Sequence, residues 1–204
     1  MPADAHPPKG AAPIAILPGI RDLARGRAAW ICDIWGVMHN GVRPFLDAVE
    51  ACTRFRQGGG TVVLLSNAPR PNGEILKQLD TIGVPRSAFD AIITSGDATR
   101  ALIAAHGSRP LLHLGPARDR ALFDGLAARF AEAGDAQAVV CTGLYDDTRE
   151  MPDDYAALLA TLQAREVPFI CANPDLTVQR GNDIVYCAGA LAEAYAALGG
   201  PVTY

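Results

Sequence analysis

Asp33 ends an apolar run that begins at Ala28, and Gly36 follows three residues later. A carboxylate at the end of a buried strand costs free energy unless a neighbouring group uses it. Gly36 lets the backbone turn tightly beside a ligand. This pattern suits an aspartate nucleophile at the C-terminal edge of a parallel sheet, where α/β proteins bind their ligands. Asp33 taken alone is also compatible with a carboxylate that only caps the strand–loop turn.

Ser66 and Asn67 follow the next β-rich run, Thr61–Leu65. Consecutive parallel strands end side by side, so we expect Ser66 beside Asp33. A hydroxyl, an amide and the first N–H groups of the following helix would together bind phosphate oxygens. The alternative is an ordinary Ser-Asn turn at a helix entry. Arg70 would add a positive charge here, although we expect a solvated side chain.

Asn173-Pro174-Asp175 follows a third strand-like run. Asn before Pro is common in turns, so this segment is either an Asx-Pro turn or a polar corner directed at the same site.

Strands and helices alternate along the chain, which predicts a right-handed, doubly wound parallel sheet of the α/β class. The pattern restarts after Gly107–Pro110, the best candidate for a domain boundary. The bounds of the predicted strands and helices come from the spacing of the apolar residues and from the Gly and Pro residues that flank them. The predicted strands are Ala28–Asp33, Thr61–Leu65, Ala91–Thr94, Leu111–Leu114, Ala138–Thr142, Pro168–Ala172 and Asp183–Cys187; the predicted helices are Arg43–Gln57, Asn72–Ile82, Asp97–His106, Ala117–Ala133, Asp153–Arg165 and Ala188–Leu198.

Composition narrows the class of protein. Half of the 204 residues are hydrophobic, and the net charge is −4, which gives no basic patch for nucleic acid. The five cysteines form no C-x-x-C pair, so small buried thiols in a reducing compartment are expected. No apolar run approaches the roughly 18 residues of a membrane helix. These observations predict a cytoplasmic protein that binds neither nucleic acid nor membrane.

Four motifs together resemble the haloacid dehalogenase-like hydrolase superfamily, and within it subclass IIA. They are DIWGV from Asp33, LLSNAPR from Leu64, TSGDATRAL from Thr94 and CANPDLTVQRGNDIVYCAGALAEAY from Cys171. The likeness extends from about Ile14 to the end of the chain, and its last motif is the most specific. It implies a doubly wound, Rossmann-like core with an inserted α/β cap domain. Residues 1–107 would be the N-terminal part of the core, and residues 108–200 the cap.

The resemblance also implies a role for each candidate residue. Asp33 matches the family's nucleophile and Mg²⁺ ligand, and the backbone carbonyl of Trp35 matches a second Mg²⁺ ligand. Ser66 and Asn67 match phosphate-binding positions. Asn173 and Asp175 would lie in the cap that covers the site and would contact the substrate. The implied activity is Mg²⁺-dependent hydrolysis of a small phosphorylated metabolite, with sugar phosphates as candidates, through an aspartyl-phosphate.

Trp35 departs from the family pattern, which has an aspartate there as general acid and base. An indole has one N–H donor and no proton to transfer near pH 7. Esters with good leaving groups should suffer least from this loss. Two alternatives follow: a weakly active or inactive module that binds a phospho-ligand or a protein, and, more weakly, a dehalogenase, which attacks carbon and needs no such acid.

The end of the chain is a second departure, because the family's Lys-bearing third motif and acidic fourth motif do not occur before Tyr204. We therefore expect the C-terminal part of the core to be absent after residue 204 and the sequence to be a fragment of a longer protein. Ala28–Asp33 would then form an exposed apolar edge, which leaves a homo-oligomer open.

Overall fold

A computed structural model describes residue 17, residues 19–180 and residues 183–204, and shows two parallel sheets flanked by helices. The strands are β1 Ala29–Asp33, β2 Thr61–Ser66, β3 Ala91–Thr94, β4 Pro110–Leu114, β5 Arg129–Phe130, β6 Ala138–Cys141, β7 Phe169–Cys171, β8 Thr177–Arg180, β9 Asp183–Tyr186 and β10 Val202–Thr203. The α-helices are α1 Arg21–Ala24, α2 Leu46–Gln57, α3 Asn72–Ile82, α4 Ser95–His106, α5 Ala156–Gln163 and α6 Ala188–Ala197; 3-10 turns cover Arg86–Ala88, Ala117–Phe123 and Pro152–Tyr155.

The first sheet has the order β1-β2-β3, and its strands are all parallel. Asp33 pairs with Leu65 across β1 and β2, and Ser66 pairs with Thr94 across β2 and β3. The C-terminal ends of the three strands therefore lie at one edge of the sheet. This arrangement confirms the predicted α/β class with parallel strands.

The two faces of this sheet differ in burial. Val62 and Leu64 of β2 are completely buried beneath α2 and α3. On the other face Ile31 is 76% exposed, and Leu65 and Ile93 are about half exposed. The apolar run of β1 is typical of a central strand buried on both faces, but within the described residues β1 is an edge strand with one exposed face. This agrees with the exposed apolar edge expected for Ala28–Asp33.

The second sheet has the order β10-β7-β6-β4-β5, again with parallel strands. All of β6 is buried, because helices α5 and α6 pack on the sheet. The Tyr195 hydroxyl donates to the Val167 carbonyl at 2.7 Å and ties α6 to the start of β7. The two sheets come from successive parts of the chain, while the division into a core over residues 1–107 and a cap over residues 108–200 stays a prediction.

The predicted helix Ala117–Ala133 is wrong, since a 3-10 turn ends at Phe123 and β5 follows. Tertiary contacts override the helical pattern: the Arg100 guanidinium donates to the Leu122 carbonyl at 2.7 Å and to the Asp124 carbonyl at 2.8 Å. These bonds satisfy two carbonyls at the end of the turn, which a helix ending here would otherwise leave without a partner.

The last third of the chain contains a hairpin that the alternating pattern does not predict. The predicted strand Asp183–Cys187 exists as β9, but it pairs antiparallel with β8, Thr177–Arg180. The predicted helix Asp153–Arg165 begins as a 3-10 turn and becomes α-helical only at Ala156. These differences concern bounds and pairing and leave the α/β class unchanged.

Two predictions from composition can be compared with the structure. All five cysteines are free thiols, and every one except the half-buried Cys32 is buried, as expected for small apolar side chains. No helix in the described part of the chain has the length and hydropathy needed to span a bilayer.

Candidate active site

A cavity of about 660 Å³ lies at the C-terminal ends of β1 and β2. Its lining includes every residue that the sequence predicted for the site: Asp33, Trp35, Ser66, Asn67, Asn173 and Asp175. Asp33 and Ser66 meet because β1 and β2 are parallel and in register. Asn173 and Asp175 arrive from the second sheet, directly after β7. The cavity thus lies between the two sheets, where a ligand would contact both.

The Asp33 carboxylate is exposed to this cavity and held by its own backbone. Its Oδ1 accepts the Ile34 N–H at 2.7 Å. The chain then turns through Gly36, whose φ of +79° is accessible to glycine at little cost. The Met38 N–H closes the turn on the Ile34 carbonyl at 2.8 Å. One carboxylate oxygen is therefore fixed, and the other has no hydrogen bond from the described residues, which leaves it available to react.

Trp35 is half-buried in the lining of the cavity, at the position where the family has an aspartate. Its ring lies so close to Gly41 that a Cβ there would be 2.7 Å from the indole. Its ring centroid is 5.3 Å from that of His39, in an edge-on arrangement. His39 is buried and accepts the Gly41 N–H on Nδ1 at 2.9 Å. The indole is thus packed in place, and it brings no titratable group.

Ser66 and Asn67 present short polar groups at the end of β2. Ser66 Oγ accepts the Ala68 N–H at 3.2 Å, so its own proton stays available to a ligand. Asn67 Nδ2 donates to Asp175 Oδ1 at 3.1 Å and links the two halves of the cavity.

The next helix, α3, begins at Asn72 as predicted. The Asn72 N–H donates to Asp97 Oδ1 at 3.1 Å, so this first N–H is already paired. A contribution of the α3 N-terminus to phosphate binding stays a prediction.

The segment Asn173-Pro174-Asp175 forms a turn and also faces the cavity, so both structures predicted for it are present. It is an Asx turn, since Asn173 Oδ1 accepts the Asp175 N–H at 3.0 Å, and it also lines the cavity. The Gly189 N–H at the start of α6 donates to the Asp175 carbonyl at 3.1 Å. A Cβ on Gly189 would approach the Pro174 carbonyl oxygen to 2.2 Å. A glycine is therefore required where α6 meets this turn.

Gly189→Ala is accordingly expected to lower the free energy of unfolding by about 1–3 kcal/mol, because rigid backbone rather than a flexible side chain opposes the new methyl group. Gly73→Ala is the matched control, since Gly73 lies in α3 with no atom near its Cβ position. That change should be neutral or stabilise the protein by up to about 1 kcal/mol. Thermal and urea unfolding of both variants measure the difference; equal stabilities would show that α6 does not constrain the turn.

Charged residues complete the lining, and sequence reasoning missed all of them except Arg70: Arg70, Arg118, Asp119, Asp147 and Arg180. Arg70 was expected to be solvated, but it is half-buried, and its guanidinium donates to Gln78 Oε1 at 2.9 Å. Its place directly after Ser66-Asn67 was the only available signal. The other four come from three separate parts of the sequence, Arg118-Asp119, Asp147 and Arg180, which meet only in the folded chain.

Asp33 and the backbone of the turn after it bring oxygen atoms to one part of the cavity. Within the described residues, no group of three or more His, Cys, Asp or Glu side chains is arranged to hold a metal ion. Asp33 offers a carboxylate, and the hydrogen bonds that close the turn use the Ile34 and His39 carbonyls and leave out that of Trp35. A carboxylate and a carbonyl are ligands that Mg²⁺ accepts, with water and substrate phosphate filling its other positions.

The parallel sheets and the polar cavity at their strand ends define an α/β enzyme of the kind that binds its ligand at this edge. The model of the haloacid dehalogenase-like hydrolases matches residues 30–129, which include Asp33, Ser66 and Asn67. A crystal structure of a haloacid dehalogenase-like hydrolase from Brucella suis is 48% identical, has a TM-score of 0.87, and is matched over 92% of this chain and 72% of its own. The chain belongs to the haloacid dehalogenase-like hydrolase family.

More distant structures share the fold. A p-nitrophenyl phosphatase from Archaeoglobus fulgidus is 20% identical with a TM-score of 0.67, over 86% of this chain and 67% of its own. A glycerol phosphate phosphatase from Mycobacterium tuberculosis, in complex with magnesium, is 18% identical with a TM-score of 0.65, over 89% of this chain and 55% of its own. No curated protein matches the sequence significantly.

Proposed function

We propose that this hydrolase is a phosphatase that acts on a small phosphorylated metabolite, with sugar phosphates as candidate substrates, and uses Asp33 as the nucleophile. The observation that carries the proposal is the convergence of Asp33, Ser66 and Asn67 in one cavity. An exposed carboxylate there faces groups that bind phosphate oxygens. The likeness to two phosphatases supports the same activity. A cytoplasmic location stays a prediction from cysteine usage.

In the proposed reaction the free oxygen of Asp33 attacks phosphorus, and the bond from phosphorus to the ester oxygen breaks. The phosphoryl group is transferred to Asp33 as an aspartyl-phosphate, and water then attacks phosphorus to release inorganic phosphate and restore the carboxylate. Ser66 and Asn67 donate hydrogen bonds to the transferring group. Trp35 gives no proton to the leaving alcohol, so the ester oxygen leaves as an anion or takes its proton from water or from another side chain.

The Asp33 carboxylate and the Trp35 carbonyl would hold a Mg²⁺ ion. Bound there, Mg²⁺ supplies charge neutralisation for the phosphate oxygens. Asn173 and Asp175 lie on the opposite side of the cavity and would face the part of the substrate that is not transferred. The hydrogen bond between Asn67 and Asp175 then closes the site from the second sheet.

Hydrolysis of p-nitrophenyl phosphate by the purified full-length protein tests the proposal. We expect release of p-nitrophenol with Mg²⁺ present, and a fall of roughly 100-fold or more when the metal is removed with EDTA, since a metal contributes several kcal/mol of charge stabilisation. Activity restored by Mg²⁺ would support the metal's role. Full activity in EDTA would contradict it, and the absence of hydrolysis under all conditions would contradict the phosphatase proposal.

Thermal unfolding with inorganic phosphate separates binding from turnover. A ligand that binds only the folded state raises the melting temperature, so phosphate together with Mg²⁺ should stabilise the protein more than phosphate alone. Stabilisation without hydrolysis of any ester would instead indicate a module that binds phospho-ligands. Chloride release from 2-haloacids, with no phosphatase activity, would favour the dehalogenase.

A further inference from the structure

Three arginine side chains line the cavity that contains Asp33, and the proposed phosphoryl transfer uses none of them. Arg70 follows β2, Arg118 lies in the 3-10 turn after β4, and Arg180 ends β8. They reach the cavity from both sheets. Such a concentration of guanidinium groups is typical of sites that bind carboxylate or phosphate groups.

One buried carboxylate holds two of these arginines. Asp147 lies in the loop after β6, and only 8% of its side chain is exposed. Arg180 donates Nη1 and Nη2 to the two carboxylate oxygens, at 3.1 and 2.7 Å, and Arg118 donates Nη2 to the same group. Hydrogen bonding to Arg180, and then to Arg118, keeps the pKa of Asp147 below its usual value. The Asp147 side chain is therefore charged and fixes both guanidinium groups at the cavity.

The ion pairs with Asp147 leave N–H donors and positive charge of Arg118 and Arg180 available. The side chains of Arg118 and Arg180 remain 54% and 45% exposed. Among the described residues, Asp147 is the hydrogen-bond partner of the Arg118 guanidinium. This bond uses one of the five N–H groups of Arg118. One carboxylate neutralises one of the two positive charges, and the other stays available to a ligand.

Arg70 lies close enough to respond to the same charges. Burial lowers the pKa of Arg70, and the positive charges of Arg118 and Arg180 lower it further. The negative charge of Asp119 raises the pKa of Arg70. Asp119 is the other acidic group at this end of the cavity, and burial raises the pKa of its carboxyl. Three guanidinium groups that repel one another are stabilised when an anion enters between them.

We propose that Arg118, Arg180 and Arg70 form a subsite for a second anionic group on the substrate, so that the preferred phosphate esters also carry a carboxylate or a further phosphate. The subsite rests on the proposed function, because it assumes that the phosphoryl group of the same substrate lies at Asp33. The loops after β4 and β6 place it at the C-terminal edge of the second sheet, since Leu114 and Cys141 are paired there.

Binding to the Asp33→Asn variant tests the subsite without depending on turnover. The probes are 3-phosphoglycerate and glycerol 3-phosphate, which differ in a carboxylate against a hydroxymethyl group. We expect calorimetry to give a Kd at least about tenfold lower for 3-phosphoglycerate, because a charge-assisted hydrogen bond contributes roughly that factor or more. Equal affinities for the two esters would overturn the subsite.

Substitution of Arg118 shows which residue carries the preference. Arg118→Gln keeps Asp147 paired with Arg180, and it should remove most of the preference for 3-phosphoglycerate while leaving the Kd of glycerol 3-phosphate unchanged. Arg118→Lys keeps the charge and should restore part of it. Arg120→Gln is the control, since Arg120 lies in the same turn but packs over the Phe130 ring at 4.3 Å. An equal loss of affinity for both esters in Arg118→Gln would contradict the subsite.

Turnover separates the two proposals. If the active protein hydrolyses p-nitrophenyl phosphate but shows no preference for 3-phosphoglycerate in binding, the phosphatase proposal stands and the subsite is wrong. If it hydrolyses no ester while the Asp33→Asn variant still prefers 3-phosphoglycerate, the subsite stands and the phosphatase proposal is wrong.

Discussion

Asp33→Asn is expected to lower kcat for p-nitrophenyl phosphate by roughly 10³-fold or more, because the amide that replaces the carboxylate is not a nucleophile. The change is nearly isosteric. The side-chain oxygen of Asn can still accept the Ile34 N–H that now bonds Asp33 Oδ1, so the turn should survive. Asp33 is also exposed, and its replacement leaves no buried charge unpaired.

The rate of p-nitrophenol release, measured beside thermal unfolding, separates chemistry from folding in this variant. Asp22→Asn is the matched control, because Asp22 is an exposed surface carboxylate 3.5 Å from Arg25. The control should retain full activity. An Asp33→Asn protein that is folded and retains activity within about tenfold of the wild type would rule out Asp33 as the nucleophile.

Trp35→Asp has the second large expected effect, an increase in kcat. General acid–base catalysis contributes about 10²–10⁴-fold, and the present side chain supplies none of it. The gain should be largest for an alkyl ester such as glycerol 3-phosphate, whose alcohol leaves poorly without a proton. For p-nitrophenyl phosphate the first step should gain less, because p-nitrophenolate is already a good leaving group, and an increase in kcat for this ester reports faster hydrolysis of the aspartyl-phosphate.

Trp35→Asn is the control for this experiment, because it removes the indole from Gly41 and His39 without introducing an acid. Both variants lose the same packing, and their melting temperatures should fall together. An increase in kcat with Asp but not with Asn would show that the acid–base position is vacant. Equal rates in the two variants would mean that another group already transfers the proton or that proton transfer does not limit the rate.

The meeting of Asp33 and Ser66 could be predicted because it depends on strand order alone. These residues end consecutive runs of apolar residues, and neighbouring parallel strands bring such ends together whatever the details of packing. Asn173 follows a strand of the second sheet, so it reaches the same cavity only because the two sheets face each other there. The alternation of strands and helices therefore predicts which edge of the first sheet carries the site, but it does not predict the role of any side chain.

The arginine cluster could not be predicted in this way. Asp147 and Arg180 are 33 residues apart, and Arg180 belongs to a hairpin that the alternating pattern does not reveal. Their contact depends on how that hairpin lies against the loop after β6, which is a property of tertiary structure. The failed helix at Ala117–Ala133 has a similar cause, since Arg100 from a different helix captures the carbonyls that would continue it.

The effect of Trp35 on the reaction rate could be predicted neither from the sequence nor from the packing of the ring. Its position was evident from the motif, and the structure shows how the ring is packed. What it means for the rate depends on the difference in free energy between the bound substrate and the transition state, which packing alone does not determine. The paired Asp and Asn variants address that difference directly.

The covalent state of Asp33 during turnover tests the central claim most directly. Acid quenching at successive times from the first turnover of p-nitrophenyl phosphate, followed by peptide mass spectrometry, would locate any phosphoryl group. Because Trp35 cannot activate the water that cleaves an aspartyl-phosphate, we expect this species to accumulate on Asp33 and to be removed by hydroxylamine. Steady hydrolysis with no phosphoryl group on Asp33 at any time, or with one on another residue, would contradict the account.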